Sequence, residues 1–256
     1  MAGSKRERDV ARAKFERQQA RRAEQATRRQ QRTRLTAAIV LTVLLVGGLA
    51  GLAIALQDTG EESSTAADPN QVVCLYPRSG EAVKPVDGVP PLTTSLLPAT
   101  SAATLQFAGG PVTVELLNAA APCTTNSFAF LADQGWFDGS DCHRLTEGTL
   151  NVLQCGDPSG TGSGGPGYTF DDENLDGATY PAGTVAMANS GPNTNGSQFF
   201  LVYADSQLPP SYTPFGRVTA GLDVLTGIAA AGIEGGTDDG APAEPVTIES
   251  ATVAAG

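Results

Sequence analysis

The chain has 256 residues and a formal net charge of −11, but its charge is divided unevenly. Residues 1–34 carry 12 of the 16 basic side chains and only 4 of the 27 acidic ones, so the rest of the chain is strongly acidic. Because neutralising phosphates requires Lys and Arg, the acidic part is unsuited to binding nucleic acid, and we expect its charge to serve solubility.

The first two segments predict a membrane anchor. Residues 35–56 contain no charged side chain, and a 22-residue helix rises about 33 Å, enough to cross the hydrocarbon core of a bilayer. A cleaved signal peptide is the closest alternative, but its leader is normally short and its apolar region has about 7–15 residues. We therefore predict an uncleaved transmembrane helix at the cell membrane, with the basic segment 1–34 in the cytoplasm and everything after it outside.

The remaining chain predicts a linker and then a compact domain. Residues 57–100 are polar and then Pro-rich, which indicates an extracytoplasmic linker and an extension that Cys74 could tie down. Residues 101–256 alternate short apolar runs with turns, which favours many short strands and two helices closed into a β-barrel. The predicted elements are a hairpin of Ala103–Ala108 and Pro111–Leu117, a helix over Pro122–Ala132, strands around Cys142–Leu145, Leu150–Gln154, Gly183–Met187 and Gln198–Tyr203, a helix over Leu222–Ala231 and a last strand Val246–Val253. In the first helix we expect Thr124 or Thr125 as the N-cap, and Phe128 and Leu131 facing the core.

All four cysteines, Cys74, Cys123, Cys142 and Cys155, follow the predicted anchor, in a compartment that permits disulfides. The absence of a CxxC pair and the presence of one histidine disfavour a zinc site. We expect two disulfides in preference to free thiols, and the three possible pairings stay open.

Two other functional patterns are present only in part, because the residues that each function also requires are missing. Gly160, Gly162 and Gly165 match a dinucleotide-binding fingerprint, but the residues that follow predict a turn and a strand instead of the required helix. His143 is the only histidine, and no G-x-S-x-G motif supplies a nucleophile for a hydrolase.

Three stretches together resemble the cyclophilin-type peptidyl-prolyl cis-trans isomerases. They are Cys142-His143-Arg144-Leu145 with the later run 152–158, the run 183–200, and the run 212–218. The similarity covers about residues 102–254, and the whole layout resembles membrane-anchored actinobacterial members. It implies a mainly β fold, a closed eight-stranded antiparallel barrel capped by two α-helices, that acts on proline-containing polypeptides. The sequence itself implies no metal, nucleotide or organic cofactor, and we expect a monomeric domain.

The resemblance also assigns roles in the site. Arg144 is the expected catalytic donor, since a guanidinium is always charged and carries fixed N–H groups. Gln154 is expected to hold Arg144 and the substrate backbone, and Asn189 to hold the peptide on its carbonyl side. His143 is expected to be structural and to point to the opposite face of its strand. The expected substrate-binding set is Gln154, Val152, Ala188, Asn189, Gln198, Phe200, Leu208 and Tyr212, with Phe200, Val152 and Leu208 as the socket for the proline ring.

The chain departs from the family pattern at four places. The segment between Arg144 and Gln154 is two residues longer than in the commonest members, and Asn151 stands where an aromatic is usual. We therefore expect a shallower or less apolar socket. Gln207 replaces the tryptophan of cyclosporin-sensitive members, which predicts weak cyclosporin binding, and Tyr212 replaces a histidine.

The leading functional hypothesis is an active isomerase that assists the folding of exported or membrane-proximal proteins. The alternatives are a proline-binding chaperone or scaffold with little turnover, tethered to the membrane, and a purely structural envelope protein. Catalysis and binding measured on the same peptide distinguish the three.

Overall fold

The computed structural model describes residues 68–96 and 98–254. The predicted basic segment 1–34, the predicted transmembrane helix 35–56 and the first part of the predicted linker, 57–67, lie outside the described residues. Among the helices that the structure does describe, none has the length and apolar character needed to cross a bilayer. The predictions for the first three stretches therefore stay predictions.

The predicted hairpin, helices and central strands are present, with bounds that shift by a few residues. The strands are β1 (Gln71–Val73), β2 (Thr93–Ser95), β3 (Ser101–Phe107), β4 (Gly110–Leu116), β5 (Ser140–Asp141), β6 (Arg144–Thr146), β7 (Val152–Cys155), β8 (Thr184–Met187), β9 (Phe199–Val202), β10 (Pro214–Ala220), β11 (Asp239–Gly240), β12 (Thr247–Ile248) and β13 (Ser250–Val253). The helices are α1 (Pro122–Asp133) and α2 (Leu222–Ala230), with a 3-10 turn at Glu234–Gly236. The predicted last strand is thus divided into β12 and β13.

Nine of these strands form one antiparallel sheet in the order β11-β6-β7-β9-β8-β10-β4-β3-β13. The mainly β fold with two helices is confirmed, but the closed eight-stranded barrel is wrong, because the edge strands β11 and β13 do not pair with each other. The segment just before the edge strand β13 pairs outside this sheet. β12 leaves the main sheet and pairs with β5, with Thr247 opposite Asp141 and Ile248 opposite Ser140. The sheet therefore curls into an open half-barrel.

Helix α1 covers the core with the apolar face that the sequence predicts. Leu131 is fully buried and Phe128 nearly so, which confirms the expectation for both residues. The Phe128 ring stacks on Phe137 with centroids 5.0 Å apart and meets Phe199 edge-on at 5.5 Å. Contacts of this geometry between aromatic rings add to the stabilisation that burial alone gives.

The start of α1 is capped from a distant part of the chain. The expectation that Thr124 or Thr125 caps the helix is wrong, because the N-cap is Ala121, which makes no side-chain hydrogen bond. The Glu173 carboxylate instead accepts hydrogen bonds from the backbone N–H groups of Cys123 (3.0 Å) and Thr124 (2.8 Å), and from the Thr124 hydroxyl (2.7 Å). A carboxylate suits this position because the first N–H groups of a helix are unsatisfied and partially positive.

The Pro-rich extension is fastened to the domain by a disulfide and by polar contacts. Cys74 is bonded to Cys123 at the start of α1, as expected for an extension tied down by its cysteine. The buried Tyr76 donates its hydroxyl hydrogen to the Cys123 carbonyl (2.7 Å), and Lys84 Nζ donates to the Gly135 carbonyl (2.6 Å). The described part of the extension therefore packs on the domain.

The second disulfide joins Cys142 to Cys155, which confirms the expectation of two bonds and selects one pairing of the three. Cys142 lies just before β6 and Cys155 ends β7, and these strands are paired with Arg144 opposite Gln154. The bond therefore ties together the two strands that carry Arg144 and Gln154.

Candidate active site

The side chains of β7 alternate between two apolar clusters. Leu153 and Cys155 pack in the main core, whereas Val152 belongs to a smaller cluster on the other face of the sheet. Phe200 of β9 lies opposite Gln154 of β7 on one side and opposite Ala186 of β8 on the other. The smaller cluster comprises Val152, Tyr180, Ala186, Phe200 and Val202, with Leu150, Ala178, Ala188, Leu208 and Tyr212 packed against it.

Part of this cluster lines a cavity of about 200 Å³. Eight of the nine predicted site residues line the same cavity. The full lining is Arg144, Leu150, Val152, Gln154, Ala188, Asn189, Phe200, Leu208 and Tyr212. The ninth, Gln198, lies beside the cavity, where its Oε1 accepts a hydrogen bond from Gln154 Nε2 (2.9 Å) and its Nε2 donates to the Gly164 carbonyl (3.0 Å).

Leu150 lines the cavity although it was not among the predicted site residues. It belongs to the segment that is longer than usual for the family, next to Asn151. The Asn151 side chain turns to the backbone, where its Nδ2 donates to the carbonyls of Gly148 (3.1 Å) and Asp205 (2.9 Å). Asn151 therefore fixes the backbone next to Leu150, and Leu150 supplies part of the apolar wall of the socket, which was expected to be shallower or less apolar. The alternation of the predicted strand Leu150–Gln154 was the overlooked signal, because it places Leu150 on the same face as Val152 and Gln154.

Arg144 is the cationic residue of the lining, and its guanidinium is held on two sides. Nε donates to Asp239 Oδ1 and Nη2 donates to Asp239 Oδ2, both at 2.7 Å, while Nη1 donates to Gln154 Oε1 at 3.2 Å. The hydrogen bond to Asp239 raises the pKa of Arg144, and the same bond lowers the pKa of the Asp239 carboxyl. Gln154 was an expected partner of Arg144, whereas Asp239, which lies 95 residues further along the chain, was not.

Tyr212 is fixed at the apolar side of the cavity. Its ring meets Phe200 edge-on with centroids 5.6 Å apart. The Tyr180 hydroxyl donates to the Tyr212 carbonyl (2.7 Å) and accepts from the Tyr212 N–H (3.1 Å), and burial raises the pKa of Tyr180. Asn189 Nδ2 donates to the Ser211 carbonyl (2.8 Å), so the backbone at 211–212 is held from two sides.

His143 does not line the cavity, which agrees with its predicted structural role. Its ring lies against the loop of residues 156–167, the glycine-rich loop, where a Cβ on Gly162 would come within 3.2 Å of His143 Cδ2. Neither ring nitrogen has a hydrogen-bond partner among the described residues. Desolvation lowers the pKa of His143 and so favours the neutral ring.

The family model described as cyclophilin type peptidyl-prolyl cis-trans isomerase/CLD matches residues 102–253. The chain belongs to this family. Two curated relatives are called probable peptidyl-prolyl cis-trans isomerase B. The Mycobacterium leprae protein is 52% identical over 196 residues, covering 70% of this chain and 66% of its own length. The Mycobacterium tuberculosis protein is 49% identical over 192 residues, covering 69% of this chain and 62% of its own length. This cyclophilin therefore spans a little less than two thirds of these relatives.

A solved cyclophilin has the same fold. The crystal structure of the Cryptosporidium parvum cyclophilin type isomerase, determined in the presence of the dipeptide Ala-Pro, aligns with a TM-score of 0.55 and 28% sequence identity. The alignment covers 60% of this chain and 99% of that chain.

A second cavity of about 490 Å³ adjoins the first in this cyclophilin. The two cavities share Gln154, Ala188 and Asn189, and the glycine-rich loop forms another wall of the larger one. Asp157 organises that loop. Burial alone would raise the pKa of Asp157, but hydrogen bonds from Ser159, Gly164 and Thr161 together lower it to about 2. A further wall comes from residues 79–83 of the extension, which precede the part of the chain that the family model matches.

Proposed function

We propose that this cyclophilin catalyses the cis–trans isomerisation of X-Pro peptide bonds. Amide resonance opposes the rotation with a barrier of about 18–20 kcal/mol, although the two X-Pro isomers differ by only about 0.5–1 kcal/mol. The reaction breaks no bond. A catalyst therefore needs to bind the twisted amide more tightly than either planar form.

One observation carries the proposal: a fixed guanidinium and an apolar socket line the same small cavity. The proline ring packs against Phe200, Val152 and Leu208, with Leu150 and Tyr212 completing the apolar wall. As the amide twists, its lone pair becomes localised on the prolyl nitrogen, and Arg144 donates a hydrogen bond there. Because that bond is stronger in the twisted form, it lowers the barrier and does not merely tighten substrate binding.

The polar residues of the lining are proposed to hold the peptide around the proline. Gln154 positions Arg144 and contacts the substrate backbone, and Asn189 binds the peptide on the carbonyl side. Ala188 and Gln198 flank the same stretch of peptide. The hydrogen bond from Arg144 to Gln154, the place of Ala188 and Asn189 in the lining, and the Ala-Pro dipeptide used with the Cryptosporidium parvum relative support these roles.

We also propose that the isomerase works outside the cytoplasm on exported or membrane-proximal polypeptides. The uncharged run 35–56 behind a strongly basic segment, and two disulfides in the described domain, support a domain tethered outside the cell membrane. Protease treatment of intact spheroplasts tests this arrangement. The domain, residues 101–256, should be degraded while a tag placed before residue 1 survives. Protection of the domain would contradict it.

A proline-binding module with little turnover is the second candidate, favoured by Leu150 standing in for an aromatic wall. Both functions are tested by giving the detergent-solubilised full chain one X-Pro peptide and measuring binding by titration and exchange by NMR. Binding with accelerated exchange supports the isomerase. Binding without acceleration supports the module, and the absence of both would contradict each.

A further inference from the structure

We infer that Asp239 is a positioning residue that holds the Arg144 guanidinium in its working orientation. The inference rests on the proposed function, because it concerns the residue proposed to donate to the prolyl nitrogen. Asp239 does not line the cavity, so it acts through Arg144 and not by contact with the peptide.

The hydrogen bonds of Arg144 define which of its N–H groups are left for a substrate. A guanidinium carries five N–H groups in one plane. Asp239 takes the Nε–H and one Nη2 hydrogen in a two-point contact at 2.7 Å, and Gln154 takes one Nη1 hydrogen at 3.2 Å. One hydrogen on Nη1 and one on Nη2 remain. The contact to Asp239 is shorter and charge-assisted, so it fixes the plane of the guanidinium more firmly than the single bond to Gln154.

Asp239 is itself held by backbone pairing. It lies in β11 opposite Thr146 of β6, and the next pair is Gly240 opposite Leu145. The Glu147 N–H donates to the Asp238 carbonyl at 3.0 Å, which continues the pairing by one residue. The carboxylate therefore stands on the strand next to the one that carries Arg144, and its position is set by the sheet.

Two effects of this carboxylate oppose each other. Its negative charge reduces the positive potential at Arg144, which would slow the reaction, whereas its hydrogen bonds restrict the guanidinium to one orientation, which would speed it. The side chains are 37% and 56% exposed, so solvent screens the charge effect strongly. The two parallel hydrogen bonds depend less on the surrounding charge, because a bidentate contact between Arg and a carboxylate fixes the plane of the guanidinium by its geometry. Positioning therefore outweighs neutralisation, and removal of the carboxylate should slow catalysis.

Asp239→Asn in the detergent-solubilised full chain tests the inference. We expect kcat for an X-Pro peptide to fall about tenfold, since a small displacement of a catalytic group has effects of this size or larger, with KM changed less than about twofold. Asp239→Glu, which keeps the carboxylate, should recover part of the loss. The matched control is Asp238→Asn, because the Asp238 side chain makes no ion pair or hydrogen bond within the described part of the chain. Glu115→Gln controls for loss of charge in an exposed ion pair, since it neutralises the carboxylate that contacts Arg217 at 2.7 Å.

A double-mutant cycle separates positioning from a general structural effect. In the Arg144→Ala background, Asp239→Asn should cause no further loss of kcat. An equal loss in both backgrounds, or an unchanged or raised kcat in the single variant, would overturn the inference while the proposed function stands. An inactive wild-type chain that binds the peptide would overturn the proposed function and this inference with it.

Discussion

Arg144 and Gln154 lie directly opposite each other on β6 and β7, and Arg144 Nη1 donates to Gln154 Oε1 at 3.2 Å. Gln154 Nε2 donates in turn to Gln198 Oε1, and Gln198 Nε2 donates to the Gly164 carbonyl. Three hydrogen bonds thus connect the guanidinium to the glycine-rich loop. The Cys142–Cys155 disulfide ties the same two strands together, so the site is held by covalent and polar links at once.

Gln154→Ala should lower kcat/KM about tenfold, because it releases Arg144 on one side and removes a contact to the peptide backbone. The measurement is exchange of an X-Pro peptide by the variant and the wild type at equal concentration. Gln207→Ala is the matched control, since Gln207 is an exposed residue outside the cavity lining. A similar loss in both variants would contradict the role of Gln154.

Leu150→Ala should weaken substrate binding with little effect on kcat. Leu150 is half-buried and forms part of the apolar wall, so its truncation removes roughly 1 kcal/mol of contact, or about a fivefold rise in KM. Leu92→Ala serves as the control, because Leu92 is 53% exposed on the extension. An unchanged KM would show that Leu150 does not touch the peptide.

Glu173→Gln should destabilise the fold by about 1–2 kcal/mol, because the charged acceptor at the start of α1 is lost. The free energy of unfolding in urea measures this, with the exposed Glu244→Gln as control. Equal stability of the two variants would mean that the three hydrogen bonds to Glu173 make no net contribution to the free energy of unfolding.

Acid should destabilise the fold through His143. Because desolvation lowers the pKa of His143, the folded chain binds this proton less readily than the unfolded chain, where the pKa is about 6.5. The stability that the neutral ring contributes is fully present above about pH 6.5, the pKa of the unfolded chain. It is lost as the pH falls through the lower pKa that His143 has in the folded chain. Asp157, with a pKa of about 2, stays ionised over this range. Unfolding free energies from pH 8 to pH 5 should fall for the wild type and fall less for His143→Phe. Parallel curves would contradict the prediction.

Much of the site could be predicted because most of its residues lie in the short runs that resemble the cyclophilins. Val152 and Gln154 share one face of β7, and Phe200 from the run 183–200 lies opposite Gln154, so the sheet brings two of these runs together. The core residues Phe128 and Leu131 followed in the same way from helical spacing.

The parts that could not be predicted depend on contacts between distant segments. Asp239 reaches Arg144 from 95 residues away, and Glu173 caps α1 from 49 residues beyond Thr124. No local pattern marks either carboxylate among the many acidic residues. The open sheet was missed for a related reason, since β5 and β12 have two residues each and leave no periodic signal. The bonds of the Asn151 side chain to the Gly148 and Asp205 carbonyls also depend on the folded loop and leave no local pattern.

The most direct test of the proposed function is X-Pro exchange measured for the full chain beside Arg144→Ala, with Arg217→Ala as control for the loss of an exposed arginine in an ion pair. We expect fast exchange in the wild type and in Arg217→Ala, and a loss of at least about 100-fold in Arg144→Ala with peptide binding largely kept. Exchange that persists in Arg144→Ala would contradict the role of the guanidinium, and no exchange by a folded, peptide-binding wild type would contradict the isomerase itself.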